Sequence, residues 1–197
     1  MSFFNRILKE DILKLQVVNF DGKIILIDDL DKFNKNIPNL YKEKIWGFDT
    51  ETKPSFKKGE SNQNTVSLLQ LSSKNITFLF RLNKIGFPDE LLEFLSNHEY
   101  LKVGLSIKDD LNLLRKLKNF SHKGFIDLQT IVHEYGIEDM GLRKLAAIVL
   151  QRRVSKSQQL TNWDAEELTE KQQIYAATDS WVCREIYLKL ISSQKNR

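Results

Sequence analysis

The stretch Ile45-Trp46-Gly47-Phe48-Asp49-Thr50-Glu51 reads as a β-strand, and the two-residue period of a strand sends Asp49 and Glu51 out of the same face. On an extended chain their Cα atoms lie about 6.6–7 Å apart. Two carboxylates on one face repel, and neither Trp46 nor Phe48 offers a counter-charge. The spacing therefore calls for a cation between them or for a raised carboxyl pKa. At a solvated strand end neither would be needed, which is the plain reading of such a pair taken alone.

Outward from this strand the pattern stays that of an alternating fold. Val66–Leu71 and Ile76–Leu82 are strand-like, with a polar loop from Lys57 to Asn64 ahead of the first. Pro88–Ser96 opens a helix with proline at its front and Asp89 and Glu90 in its first turn, where the helix dipole favours acids. Tyr100–Val103 is a short strand, Ile107–Leu117 a helix and Phe125–Leu128 a further strand. Helices are expected over Leu142–Leu150 and Thr169–Ser192. Upstream, Phe4, Ile7, Leu8, Ile12 and Leu15 have helical spacing and predict an amphipathic N-terminal helix. Lys23–Asp28 predicts a short buried strand, and Asp29–Leu40 a helix disturbed at Pro38. Three adjoining strands followed by helix–strand alternation predict an α/β fold, a mixed sheet flanked by helices.

The 197 residues suit one domain with a real core, and 12 Phe, 3 Trp and 5 Tyr are enough large side chains to fill it. A single cysteine, Cys183, excludes a disulfide framework and a cysteine-built zinc site within one chain. Met1–Leu15 is interrupted by Arg6, Lys9, Glu10, Asp11 and Lys14. No later run is long enough to span a bilayer, so the expectation is a soluble cytoplasmic protein without a membrane. The net charge of +4 agrees with a polyanionic partner without demanding one. With only three histidines and no His-x-x-x-His pair, any metal chemistry must run on carboxylates.

Two further acids fall where acids are costly. In the helix after Gly104, Ile107, Leu111, Leu114 and Leu117 form one stripe, and Asp110 lies inside it. Asp109, about 100° away, reads more simply as an N-cap. In the last helix Tyr175, Asp179, Val182, Ile186 and Leu190 share a face, so Asp179 is expected to point inward with a tyrosine hydroxyl one turn before it. A buried Tyr–Asp hydrogen bond explains that pair alone. Four inward carboxylates from three elements suit oxygen-only ligation of hard cations such as Mg²⁺ or Mn²⁺. A pair of such ions can activate a water and steady the leaving oxygen of a phosphodiester.

With these residues in place the chain resembles the DEDD 3′–5′ exonucleases, in the branch of ribonuclease D and the Werner syndrome helicase exonuclease domain. The first motif is Phe48-Asp49-Thr50-Glu51, and the second runs from Val103-Gly104 to Asp110-Leu111. The third is Leu168-Thr-Glu-Lys-Gln-Gln-Ile-Tyr175-Ala-Ala-Thr-Asp179, preceded by Asn162-Trp163. Val66-Ser-Leu-Leu-Gln-Leu71 lies between the first two, and the similarity extends over roughly Lys44–Leu190. The resemblance implies a ribonuclease H-like fold and hydrolysis from the 3′ end of DNA or RNA, releasing nucleoside 5′-monophosphates. It makes Asp49, Glu51, Asp110 and Asp179 the ligands of two Mg²⁺ or Mn²⁺ ions. Tyr175, four residues before Asp179, marks the tyrosine subclass and would orient or help deprotonate the attacking water.

Thr50, Lys156 and Trp163 are the candidate substrate contacts for a single-stranded 3′ end, with Arg152 and Arg153 as further phosphate candidates. Gln70 reads as a satisfied polar group within its strand. Residues 1–40 are expected to be a helix/strand extension packed on an exonuclease domain of residues 41–197. With no room for the helical accessory domain that ribonuclease D carries, grip on long substrates should be modest. The alternative function is a catalytically inactive nucleic-acid-binding module of the same fold. A third is a phosphatase or cyclic-dinucleotide hydrolase reusing the site.

Overall fold

A computed structural model describes residues 3–52 and 65–194; the expected loop Lys57–Asn64 lies outside the described residues. The chain runs α1 (Lys9–Lys14), β1 (Lys23–Ile27), α2 (Leu30–Asn36) with a 3₁₀ turn Ile37–Lys42, then β2 (Ile45–Thr52), β3 (Val66–Ser72) and β4 (Ile76–Arg81). There follow α3 (Leu82–Ile85), α4 (Asp89–Ser96), β5 (Leu101–Gly104), α5 (Lys108–Leu117), β6 (Phe125–Asp127) and α6 (Leu128–Ile131). After a 3₁₀ turn, α7 (Leu142–Leu145) passes into a π turn, Ala146–Leu150, and the long α8 (Glu170–Gln194) follows.

The strands form one six-stranded sheet in the order β1-β4-β3-β2-β5-β6. β2, β3 and β4 form an antiparallel meander, while β1, β5 and β6 pair in parallel with their neighbours. Helices cover it, as the ribonuclease H-like expectation requires. One core layer gathers Phe33, Trp46, Phe48, Phe78, Phe80 and Phe94. A second gathers Val103, Leu128, Ile148, Val182, Ile186 and Leu190. β3, buried along its whole length, is the middle of the meander.

α8 is buried on most sides, and it packs against β2 because residue 47 is glycine. A Cβ there would stand 1.8 Å from the Ser180 carbonyl oxygen, so only a bare backbone admits the helix. Arg184 ties the same contact further along, its Nε donating to the Ile45 carbonyl at 3.0 Å. The face carrying Gly47 also carries Asp49 and Glu51, so the close approach brings α8 to the two acids.

Local chemistry accounts for most boundaries. Asp29 caps α2 by accepting from the Lys32 N–H at 2.7 Å, and Pro38 turns the rest of that predicted helix into 3₁₀. The N-terminal expectation is corrected. Only Lys9–Lys14 is helical and only Ile12 of that helix is buried, while Phe4 and Leu8 are 70% and 62% exposed. Six residues are too few to hold a helix without packing, and the preceding residues are fixed by contacts instead. Lys23–Ile27 is a half-buried strand at the sheet edge rather than a fully buried one. No helix among the described residues is long and apolar enough to cross a membrane.

Candidate active site

Three carboxylates meet at the C-terminal half of β2. One oxygen each from Asp49, Glu51 and Asp179 can be chosen so that all lie within 4.8 Å of one another. Asp49 and Glu51 leave β2 in phase, and Asp179 descends from α8, where it is 7% exposed. Its Oδ1 is buried without a hydrogen-bond partner. The Tyr175 hydroxyl, one turn earlier on α8, donates to the Asp179 carboxylate.

Asp110 stands beside this trio. It arrives from α5, and its Oδ1 accepts the hydroxyl of Thr50, the residue between the two β2 acids. The stripe phase placed Asp110 inward, and the structure agrees: Asp109 is exposed on the outer side of α5. Sequence reasoning passed over Asp127, which sets the turn before α5. Its carboxylate accepts from the backbone N–H groups of Ser106 at 2.9 Å, Ile107 at 3.1 Å and Gln129 at 2.9 Å. Ser106 is held at φ +59°, a conformation most side chains avoid, and these bonds maintain it. An Asp at the end of a short strand was the only available signal.

Crowding of acids in a dry site raises their proton affinity. Burial first, then the charges of Asp179 and Asp110, pushes Glu51 up to about 9. Burial, followed by Glu51, Asp110 and Asp179, raises Asp49 well above the carboxylate range, against a 2.9 Å bond from the Thr50 N–H. Burial lifts Asp179 to about 7 although the Tyr175 bond and Lys156 oppose it. Asp110 rises to about 6, again through burial, with the Thr50 bond pulling the other way. Tyr175 is pushed up by burial and then by Asp179 and Glu51, so its phenol keeps its proton at neutral pH. This is the cost of converging carboxylates with no cation seated between them among the described residues, and a bound cation would offset it.

The remaining expectations divide. Lys156 is exposed and lines a cleft of about 530 Å³ that ends at Tyr175 and Asp179. Thr50 is buried at the strand end. Trp163 is completely buried, its ring centroid 6.1 Å from that of Tyr175, and a sealed ring has no face to stack on a base. Arg153 is held by the backbone, pairing with Val17, whereas Arg152 is exposed. Gln70 is not satisfied: it is fully buried opposite Asp49, and neither amide atom has a partner.

A family model described as a 3′-5′ exonuclease matches residues 24–193. The mouse exonuclease 3′-5′ domain-containing protein 2 is 29% identical over 86% of this chain and 28% of its own length. The mouse bifunctional 3′-5′ exonuclease/ATP-dependent helicase WRN is 31% identical over 74% of this chain and 11% of its own. The chain thus spans only a minority of the length of these curated relatives. In three dimensions it is similar to the EXO domain of Aedes aegypti Nibbler, with a TM-score of 0.81 over 91% of this chain and 94% of that one; at 21% identity this likeness bears on the fold alone. Motif order, sheet topology and the family match converge, and the chain belongs to the 3′-5′ exonuclease domain family, among the DEDD exonucleases.

Proposed function

We propose that this chain is a divalent-metal-dependent exonuclease of the tyrosine subclass that removes nucleoside 5′-monophosphates from a single-stranded 3′ end of DNA or RNA. The observation that carries this reading is the convergence of Asp49, Glu51 and Asp179 around a buried, unpartnered Asp179 oxygen. The donor set is all oxygen, which fits Mg²⁺ or Mn²⁺. Asp49, Glu51 and Asp179, with Asp110 beside them, would hold two such ions. Bound there, the ions would supply water of lowered pKa and charge stabilisation for the leaving oxygen.

The chain's own residues do the positioning. Tyr175 spends its proton on Asp179 and keeps an oxygen lone pair to accept from a water, so it orients that water and is not its base. Water oxygen bonds to phosphorus as the water gives up a proton to solvent, the bond from phosphorus to the 3′ oxygen breaks, and that oxygen takes a proton from solvent, so the shortened strand keeps a 3′-hydroxyl. Thr50 and Lys156 are proposed as substrate contacts, at the strand end and on the cleft rim respectively. Trp163 is better read as the prop behind Tyr175.

We also infer the division of the chain at residue 40, with residues 1–40 an extension laid on the catalytic unit of residues 41–197. Its support is the Phe20 N–H bonded to Thr178 Oγ1 at 2.9 Å, the Val17–Arg153 bridge and the β1–β4 pairing. The test of function uses matched DNA and RNA oligonucleotides labelled at either end, with Mg²⁺, Mn²⁺ or chelator. A ladder shrinking from the 3′ end, metal-dependent and lost in D49A, E51A and D179A, is expected. Binding without cleavage in either metal would overturn the proposal in favour of an inactive binding module.

A further inference from the structure

The segment from Asn5 to Phe20 is tied down at both ends across the mouth of the site. At its start Arg6 pairs with Glu138 at 2.6 Å, and the Ile7 N–H donates to Asp139 at 3.0 Å. At its end the Arg153 N–H donates to the Gln16 carbonyl and the Val18 N–H to the Arg153 carbonyl, both at 2.9 Å. Phe20 is then bonded to Thr178, the residue next to Asp179. Between these anchors α1 forms one wall of the 530 Å³ cleft, contributing Lys9 and the buried Ile12. Further along, Val17 and Asn19 line a second cavity of about 280 Å³ that also reaches Tyr175 and Asp179. One strap thus borders both openings onto the same pair of site residues.

The charges along the larger cleft are one-sided. Lys9, Arg143, Lys144 and Lys156 line it against a single carboxylate, Asp179. Lys144 is neutralised by Asp139 at 2.5 Å. The other three cations make no ion pair among the described residues, and the buried Nε of Arg143 has no hydrogen-bond partner. A cleft of this volume, with an apolar floor and unpaired donors on two walls, has the character of a ligand site. An unpaired guanidinium and an ammonium facing one cleft suit phosphate.

We propose that the strap is the substrate-side wall of the exonuclease cleft, and that Lys9 and Arg143 bind backbone phosphates of the single strand next to its terminal nucleotide. This rests on the exonuclease reading above. It gives the N-terminal segment a role in gripping the strand. Lys9 lies outside residues 24–193, the span that the family model matches, and its role is argued from the cleft.

The test reads binding alone. In an E51Q background with chelator present, the affinity for a 5′-fluorescein single-stranded oligonucleotide is measured by anisotropy from 50 to 200 mM salt. Each of Lys9→Ala and Arg143→Ala should weaken binding about tenfold, as loss of a charge-assisted contact does. Each should also lower the magnitude of the slope of log affinity against log salt by about 0.7, or about 1.4 for the double variant. Lys9→Glu should weaken binding further, and Lys35→Ala, on α2, should leave affinity and slope unchanged. Slopes equal to the parent's, or an equal loss in Lys35→Ala, would overturn the proposal. The two readings fail separately. If the native chain degrades oligonucleotides while Lys9→Ala and Arg143→Ala bind as the parent does, the strap is wrong and the exonuclease stands. If these variants weaken binding as stated but the native chain produces no ladder, the cleft is right and the catalytic reading is wrong.

Discussion

Replacing Glu51 by Gln should stabilise the metal-free protein, and increasingly so as pH rises. Glu51 is held at about 9 in the folded chain against an ordinary value of 4.5, because it is buried against Asp179 and Asp110. Below pH 4.5 both states hold the proton and the group contributes nothing. Between there and about pH 9 the folded state keeps a proton that the unfolded chain has released. Stability therefore falls by about 1.4 kcal/mol per pH unit through this group. At pH 7 the accumulated loss is about 3 kcal/mol. Glutamine carries no such proton, so E51Q should gain that amount over the native chain at pH 7 and almost none at pH 4. For a chain of this length the gain corresponds to roughly 6–12 °C in Tm. Urea unfolding in EDTA at pH 5, 6, 7 and 8 measures it directly. Mn²⁺ at about 1,000 times its Kd should reverse the order at pH 7, since it adds about 4.1 kcal/mol to the protein that binds it. A difference that does not vary with pH, or a native chain more stable in EDTA at pH 8 than at pH 5, would refute the reasoning.

Tyr175→Phe should lower kcat less than loss of any carboxylate, because water orientation is lost while the acids remain; single-turnover rates at fixed Mn²⁺ check it. Gly47→Ala should cost more than about 3 kcal/mol in chemical unfolding, since its Cβ would meet the Ser180 carbonyl at 1.8 Å and neither backbone can retreat. Residual folded protein should bind Mn²⁺ more weakly by calorimetry, because a displaced α8 carries Asp179 away from β2. Gln70→Met should stabilise by about 1 kcal/mol, because two unpartnered amide atoms in a dry strand give way to an apolar chain of similar shape. A destabilised Gln70→Met would mean that the amide finds a partner in solution.

Some of the site was readable before any fold was known, because side-chain direction is a local property. The two-residue period fixed Asp49 and Glu51 to one face of β2, and the 3.6-residue period separated Asp110 from Asp109 and aligned Tyr175 with Asp179. Helix starts at Asp29 and Pro88 were equally local, since a cap or a missing N–H acts within one turn. Failures came where a distant partner decides. Phe4 and Leu8 have helical spacing, yet nothing packs over them. Trp163 looked available for stacking until α8 and the meander closed over it. Gln70 looked ordinary, and its missing partners are visible only once every neighbour is placed.

The linear chain by itself determined the order of strands and helices, the faces from which the acids depart, and the family to which their spacing belongs. Tertiary structure alone decided how closely the acids approach, which water-starved surroundings raise their proton affinity, and that a strap from the N-terminus walls their cleft. The reason is range: torsional preference and periodicity act over a few neighbouring residues, whereas burial and charge repulsion depend on groups more than a hundred positions apart, such as Asp49 and Asp179.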